Sequence, residues 1–134
     1  MKKKLALLLA VGCMMTSSIT AFAAGHDYKF TFTSKGQKLE TASYAKADNE
    51  QNAYVTVIED TYENFIDDED AFGCRVRKAT NNVAVTDYTV IRTTDRYKLP
   101  YTSTGYKGTS YYLRGQIDSS GDYNVLTVMG RWVP

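Results

Sequence analysis

The residues 59–70 carry the densest set of side chains that could bind metal or transfer protons. Seven of these twelve residues are carboxylates, and the last four are consecutive. Calcium takes six to eight oxygen ligands, which clustered carboxylates can supply. An EF-hand, however, spaces its ligands at alternate residues around a glycine, and a consecutive run is more often a solvated loop. A calcium site, as in a calcium-stabilised extracellular structural protein, is therefore one reading of Asp67, Asp68, Glu69 and Asp70.

A hydrolase is the second chemistry that the carboxylates of residues 59–70 could support. A glycosidase needs two carboxyl groups at a fixed separation across a cleft, and the sequence indicates no cleft there. His26 lies close to the start of the folded part, where a catalytic base would lack rigid support. Cys74 alternates with Phe72 and Val76, which predicts a buried, unreactive thiol. These patterns favour a non-catalytic protein that has no cofactor other than calcium.

Tyrosines interleaved with serine, threonine and glycine indicate a recognition surface. Rigid aromatic rings beside small polar residues are typical of binding loops. Tyr101 and Tyr106 are predicted to lie partly exposed in a polar loop, although tyrosine is also common in β-strands. The face that carries Arg75 and Arg77 is the alternative binding surface, together with the acidic segment. The predicted binding residues are Tyr97, Tyr101, Tyr106 and Tyr112.

The first 23 residues have the organisation of a signal peptide. Three lysines at positions 2–4 precede an apolar run, and Ala21-Phe22-Ala23 matches a signal peptidase site. Cleavage there predicts a secreted, extracellular protein. A lipoprotein signal at Cys13, which would anchor the chain to a membrane, is the rival reading.

Removal of residues 1–23 leaves 111 residues, which suits a single domain over 24–134. Thirteen basic and fifteen acidic residues remain, so there is no basic surplus to drive nucleic-acid binding. No later segment has the length or apolarity of a transmembrane helix. Only one cysteine is left, which excludes an intrachain disulfide.

Short alternating segments separated by turn residues predict an all-β fold. The pattern favours an antiparallel β-sandwich or open barrel of about six to seven strands. Residues 38–47 fit either a short strand or a weak helix, and residues 93–108 read as a long polar connection. Asn81-Asn82 predicts a tight turn, since asparagine tolerates positive φ. The other predicted strands cover residues 28–33, 53–58, 72–78 and 83–92, the last of them split.

Residues 109–133 are predicted to form a C-terminal β-hairpin around which the fold is organised. The two alternating strands would be joined by residues 118–122, with apolar residues of both on one face. In that register Leu126 covers Gly115, and Tyr111 covers Gly130. Trp132 shares the apolar face of the second strand, so it is predicted to be buried.

Three short motifs carry a resemblance to a known family. They are Ser43-Tyr44-Ala45-Lys46, Ala53-Tyr54-Val55 and Gly130-Arg131-Trp132-Val133-Pro134. With the signal peptide and the early aromatic strand, they resemble an uncharacterised family of small secreted proteins from Gram-positive bacteria, similar to lactococcin-type bacteriocins. The resemblance implies a β-sandwich without established catalytic residues. It also implies a bacteriocin-like or envelope-associated role, with an extracellular or cell-envelope partner.

Overall fold

The computed structural model describes residues 25–58 and 70–134. The signal-peptide prediction for residues 1–23 and the lipidation alternative at Cys13 lie outside these residues. Within the described ranges the chain forms strands and connecting turns but no helix. The nine strands are β1 (His26–Phe32), β2 (Lys38–Glu40), β3 (Tyr44–Ala45), β4 (Asn52–Val57), β5 (Phe72–Lys78), β6 (Thr89–Ile91), β7 (Arg96–Pro100), β8 (Ser110–Ile117) and β9 (Leu126–Val133).

The strands pair into two antiparallel sheets. The first sheet has the order β1-β9-β4-β7, and the second has the order β2-β8-β5-β6, with β3 also paired to β8. The predicted antiparallel all-β fold is therefore confirmed. The strand count exceeds the prediction partly because β2, β3 and β6 are only two or three residues long.

The two sheets bury their inner faces against each other. Alternate residues of β1 and of β5 are buried, as period-two strand geometry requires. Cys74 is among them, as its alternation with apolar neighbours predicted. Both sheets contribute to one continuous core, which includes Phe30, Phe32, Val55, Phe72, Val76, Leu113, Val128 and Trp132.

The predicted C-terminal hairpin is wrong in its pairing, although its faces are right. Strand β8 pairs with β2, β3 and β5, whereas β9 pairs with β1 and β4 in the other sheet. The apolar sides of β8 and β9 therefore belong to opposite layers of the core. Alternation identifies the buried face of a strand but not its hydrogen-bonded neighbour.

The glycines of these two strands consequently have different neighbours from those predicted. The rings of Phe72 and Phe30 close over Gly115, leaving no room for a Cβ atom. Gly130 lies against the backbone oxygen of Thr56 and the hydroxyl of Tyr28. Two phenylalanine rings thus fill the space beside Gly115, and the backbone of β4 fills the space beside Gly130, so neither Leu126 nor Tyr111 has its predicted role.

The prediction that residues 93–108 are a polar connection is wrong in part, because they contain regular structure. Residues 93–108 include β7, a strand at the edge of the first sheet that ends at Pro100. Proline is tolerated there because an edge strand leaves some backbone N–H groups unpaired. Residues 38–47 contain the short strands β2 and β3, and residues 83–92 make two isolated bridges before β6. The turn at Asn82 has φ of 60°, as its sequence predicted.

Residues 25–58 and 70–134 include no helix whose length and apolarity would let it cross a membrane.

Candidate anion-binding site

The four tyrosines predicted to bind a partner do not share one exposed surface. Tyr97 and Tyr101 are partly buried against the core cluster. Tyr112 is only 7% exposed, whereas Tyr106 is 62% exposed. Of the four, Tyr106 alone has the exposure expected of a binding residue, and its role in binding stays a prediction.

Tyr101 is packed in a way that the sequence did not indicate. Its ring centroid lies 5.4 Å from that of Tyr111, and the Lys46 Nζ lies 5.2 Å from the same ring. Lys46 is itself buried, and its Nζ donates to Asp48 and to the backbone oxygen of Pro134, both at 3.1 Å. Tyr101 is partly exposed, as predicted, but its ring packs against Tyr111 and the core cluster and does not lie free in a polar loop.

The two loop tyrosines should respond differently to truncation. Tyr101→Ala should lower the free energy of unfolding by more than ~1 kcal/mol, whereas Tyr106→Ala should stay within ~0.5 kcal/mol of the wild type. Tyr101→Phe should be close to neutral, because the buried Tyr101 hydroxyl has no hydrogen-bond partner. Urea unfolding of the three variants measures this. Equal midpoints for the two alanine variants would contradict the packing described for Tyr101.

The predicted calcium ligands Asp67, Asp68 and Glu69 lie outside the described residues, as does most of the segment assigned to a hydrolase. Asp70 is described and is buried, with 6% of its surface exposed. In the part of the chain that the structure covers, no three histidine, cysteine, aspartate or glutamate side chains come together as a metal site would need. Both the calcium and the hydrolase readings stay predictions.

His26 is held in β1, not in a fraying terminus. Its ring stacks on Tyr44 with centroids 3.5 Å apart and planes 8° apart. Burial, with the neighbouring Arg131 charge as the second cause, lowers the pKa of His26, so its neutral form is favoured.

On the other sheet, burial raises the pKa of the Cys74 thiol to about 12. A thiol of that pKa stays protonated at neutral pH and is a poor nucleophile.

A concave site with basic walls lies on the outer face of the second sheet. Its cavity volume is about 260 Å³. Residues of β2, β5 and β8 alternate between core and surface, so their polar positions all project from this face. We call this site the basic pocket, and it is lined by Lys38, Gly73, Arg75, Arg77, Tyr88, Arg114 and Gln116.

Strand register brings two arginines directly together in the basic pocket. Arg75 of β5 is the cross-strand partner of Arg114 of β8. Directly opposed residues have Cβ atoms about 4.5–5.5 Å apart, and like charges there are destabilising. Arg114 is partly compensated, because its Nε donates to the Glu40 carboxylate at 2.7 Å. Among residues 25–58 and 70–134, Arg75 has no carboxylate partner.

Tyr88 forms a wall of the basic pocket because Gly73 has no side chain. A Cβ atom on Gly73 would lie 1.7 Å from the Tyr88 hydroxyl oxygen. That hydroxyl donates to Asp118 Oδ1 at 2.8 Å, which fixes the direction of the ring. The Arg75 guanidinium lies 5.3 Å from the ring centroid, within the range of a cation–π contact. Tyr88 and Arg75 therefore hold each other in place.

Arg77 is held by hydrogen bonds to a turn residue, and the strand register places Lys38 in the pocket. Arg77 donates from Nε to the Asn82 side-chain oxygen at 3.3 Å and also bonds the Asn82 backbone oxygen. Lys38 is opposite Gln116, which is in turn opposite Gly73, so one row crosses three strands. The arrangement presents four cations and an amide to a single cavity, which suits an anionic ligand.

The sequence predicted only part of this site. The outward direction of Arg75 and Arg77 follows from alternation along β5, and that face was an alternative binding surface. Lys38, Arg114 and Gln116 were missed because the predicted hairpin assigned β8 to the wrong neighbours. Tyr88 was missed because a glycine fifteen residues earlier creates the space for its ring. A glycine within an otherwise strong strand was the available signal.

Fold and site together define a small antiparallel β-sandwich with a basic pocket on one outer face. Comparisons of the chain with protein-family models, with curated proteins and with solved structures found no match.

Proposed function

We propose that the protein is a secreted, non-catalytic binding protein that holds an anionic ligand in its basic pocket. The observation that carries the proposal is the cross-strand pair of Arg75 and Arg114. Two opposed guanidinium groups cost stability in the free protein. An anion placed between them removes the repulsion and accepts charge-assisted hydrogen bonds from both.

Preorganisation supports the same proposal. Arg75 is held against Tyr88, Arg77 against the turn at Asn82, and Arg114 against Glu40. Side chains that are already positioned lose less conformational entropy when a ligand binds, which raises affinity. Arginine also matches carboxylate and phosphate oxygens with two parallel hydrogen bonds.

The extracellular location in this proposal rests on the signal-peptide pattern of residues 1–23. The bacteriocin-like or envelope-associated role implied by the family resemblance belongs to the same proposal. A partner in the cell envelope that carries carboxylate or phosphate groups would meet the chemistry of the basic pocket. A protein in that role should bind an anionic component of the cell envelope, and any later effect on the cell should depend on this binding.

The double variant Arg75→Gln with Arg114→Gln should weaken binding of an anionic polymer by about tenfold or more, as loss of two charge-assisted bonds implies. Calorimetric titration with polygalacturonate and with dextran sulfate measures the change, and neutral dextran is the control ligand. Added salt should weaken wild-type binding, since partly exposed charges are screened.

Arg96→Gln is the matched control variant for charge. Arg96 lies on β7 of the first sheet, 4.2 Å from the centroid of the Tyr54 ring, so it also makes a cation–π contact. Its loss should leave polymer binding unchanged. Arg75→Gln alone should leave the urea midpoint almost unchanged, because the relief of repulsion by Arg114 offsets the lost contact with Tyr88. Equal losses of binding in Arg96→Gln and in the double variant would overturn the proposal.

A further inference from the structure

We infer that the ligand of the basic pocket is a single acidic sugar unit, namely a sugar ring that carries a carboxylate or phosphate group. The inference rests on the proposed anion-binding function and specifies its ligand. It requires that the pocket recognise the body of the ligand as well as its charge. Three features of the pocket meet that requirement.

The first feature is the size of the cavity. About 260 Å³ lies just below the range of roughly 300–1,000 Å³ that accepts drug-sized molecules. A space of this size holds one ring-sized unit with its substituents, and it is larger than a lone inorganic anion needs. Longer polymers would extend out of the open side, with one unit inside.

The second feature is the aromatic wall. Tyr88 lies over the bare backbone of Gly73, and its hydroxyl is already bonded to Asp118. Hydrogen bonds from the Ser120 hydroxyl and backbone N–H lower the pKa of Asp118, so this acceptor stays ionised. Burial and the bond to Asp118 raise the pKa of Tyr88 to about 12, so the wall stays neutral at neutral pH. A bare anion makes no favourable contact with a neutral aromatic ring, whereas the C–H groups of a sugar ring pack against aromatic rings.

The third feature is the mixture of polar groups. Gln116 lies between Lys38 and Gly73 in the strand register. Its amide also bonds the Tyr88 hydroxyl. An amide both donates and accepts, which matches a hydroxyl group, whereas the arginines only donate. The pocket therefore combines three planar guanidinium groups and one lysine with one amide, as a ring with both an anionic group and hydroxyls would require.

A nucleic acid is the competing polyanion, and the charge balance disfavours it. The chain carries a formal net charge of only +1, and that value includes the three lysines near the N-terminus. Affinity for nucleic acid depends on neutralising many phosphates along an extended surface. Four cations around a single small cavity suit one anionic group better than a run of phosphates.

The inference can be tested by NMR titration of the folded protein with matched probes. The first set is galacturonic acid, galactose and acetate, and the second is glucose 6-phosphate, glucose and inorganic phosphate. One acidic sugar should bind at least about tenfold more tightly than its neutral sugar and than its bare anion. The set that shows this difference identifies the anionic group. A single-stranded oligonucleotide is the third probe.

Two variants separate recognition of shape from recognition of charge. Gly73→Ala keeps all four cations but displaces the Tyr88 ring, and Tyr88→Leu removes the ring directly. Both should reduce binding of the acidic sugar by about tenfold. Both should weaken binding of the bare anion much less, because Arg75 loses its contact with the Tyr88 ring but keeps its charge. If Gly73→Ala does not fold, Tyr88→Leu decides alone, because Tyr88 is partly exposed and is not part of the core cluster.

The outcomes distinguish a failure of acidic-sugar recognition from a failure of anion binding. Equal affinities for acidic sugars and bare anions would overturn the inference and leave the proposed anion binding intact. Tighter binding of the oligonucleotide than of either acidic sugar would overturn the inference in favour of nucleic acid. Failure of every anionic probe to bind would overturn the proposed function itself.

Discussion

Trp132→Ala should lower the free energy of unfolding by ~3–5 kcal/mol, the usual cost of truncating a core aromatic residue. Trp132 has no exposed surface and lies on β9, between β1 and β4. It is paired with His26 on one side and with Val55 on the other. The lost ring would leave a cavity that both neighbouring strands line, and their backbone bonds restrict its collapse.

Urea unfolding followed by circular dichroism measures this change, with Trp132→Phe as the control. The Trp132 Nε1 atom is buried without a hydrogen-bond partner, so phenylalanine loses volume but no bond. Trp132→Phe should therefore lower the free energy of unfolding clearly less than Trp132→Ala does. Domains of this kind have ~5–15 kcal/mol of stability in total, so the alanine variant should be severely weakened. An unchanged midpoint would show that the end of β9 is not part of the core.

Gly130→Ala should also destabilise the fold strongly, although it adds only one methyl group. A Cβ atom at Gly130 would lie 1.8 Å from the backbone oxygen of Thr56. Thr56 is on the neighbouring strand β4, so relief requires the separation of two central strands. We expect a loss of about 1–3 kcal/mol or more, as for other overpacking substitutions.

Gly36→Ala is the matched control for this prediction. Gly36 lies in the turn between β1 and β2, where a Cβ atom would meet nothing within 4 Å. The same chemical change should therefore leave the urea midpoint almost unchanged. The Tyr28 hydroxyl donates to the backbone oxygen of Thr56 at 3.0 Å. Displacement of β4 in Gly130→Ala should break this hydrogen bond, which adds to the loss of stability. Equal midpoints for the two variants would contradict the close approach of β9 and β4.

Several features of the fold follow from local sequence alone. Strict alternation predicted the buried faces of β1, β5, β8 and β9, including Trp132, because side chains of a strand point alternately to opposite sides. Asn82 was predicted in its turn because asparagine tolerates the left-handed conformation. The sequence also indicated that Arg75 and Arg77 project to the surface.

The pairing of strands was beyond local sequence. Residues 118–125 could close a hairpin within one sheet or cross from one sheet to the other. Both arrangements bury the same apolar residues of β8 and β9, so the hydrophobic pattern does not distinguish them. The choice depends on which other strands fill the neighbouring positions, and here β5 and β2 pair with β8 while β1 and β4 pair with β9. Strand order is therefore a property of the whole core.

The basic pocket shows the same division between local and tertiary information. Sequence alternation determined that Arg75 points outward, but the register between β5 and β8 placed Arg114 opposite it. The register between β8 and β2 added Lys38 to the row of Gln116. Residues from positions 38 to 116 meet only because three strands pair, and cross-strand distances do not depend on separation in sequence. The types and directions of these side chains are local properties, whereas their convergence on one cavity was decided by the tertiary structure.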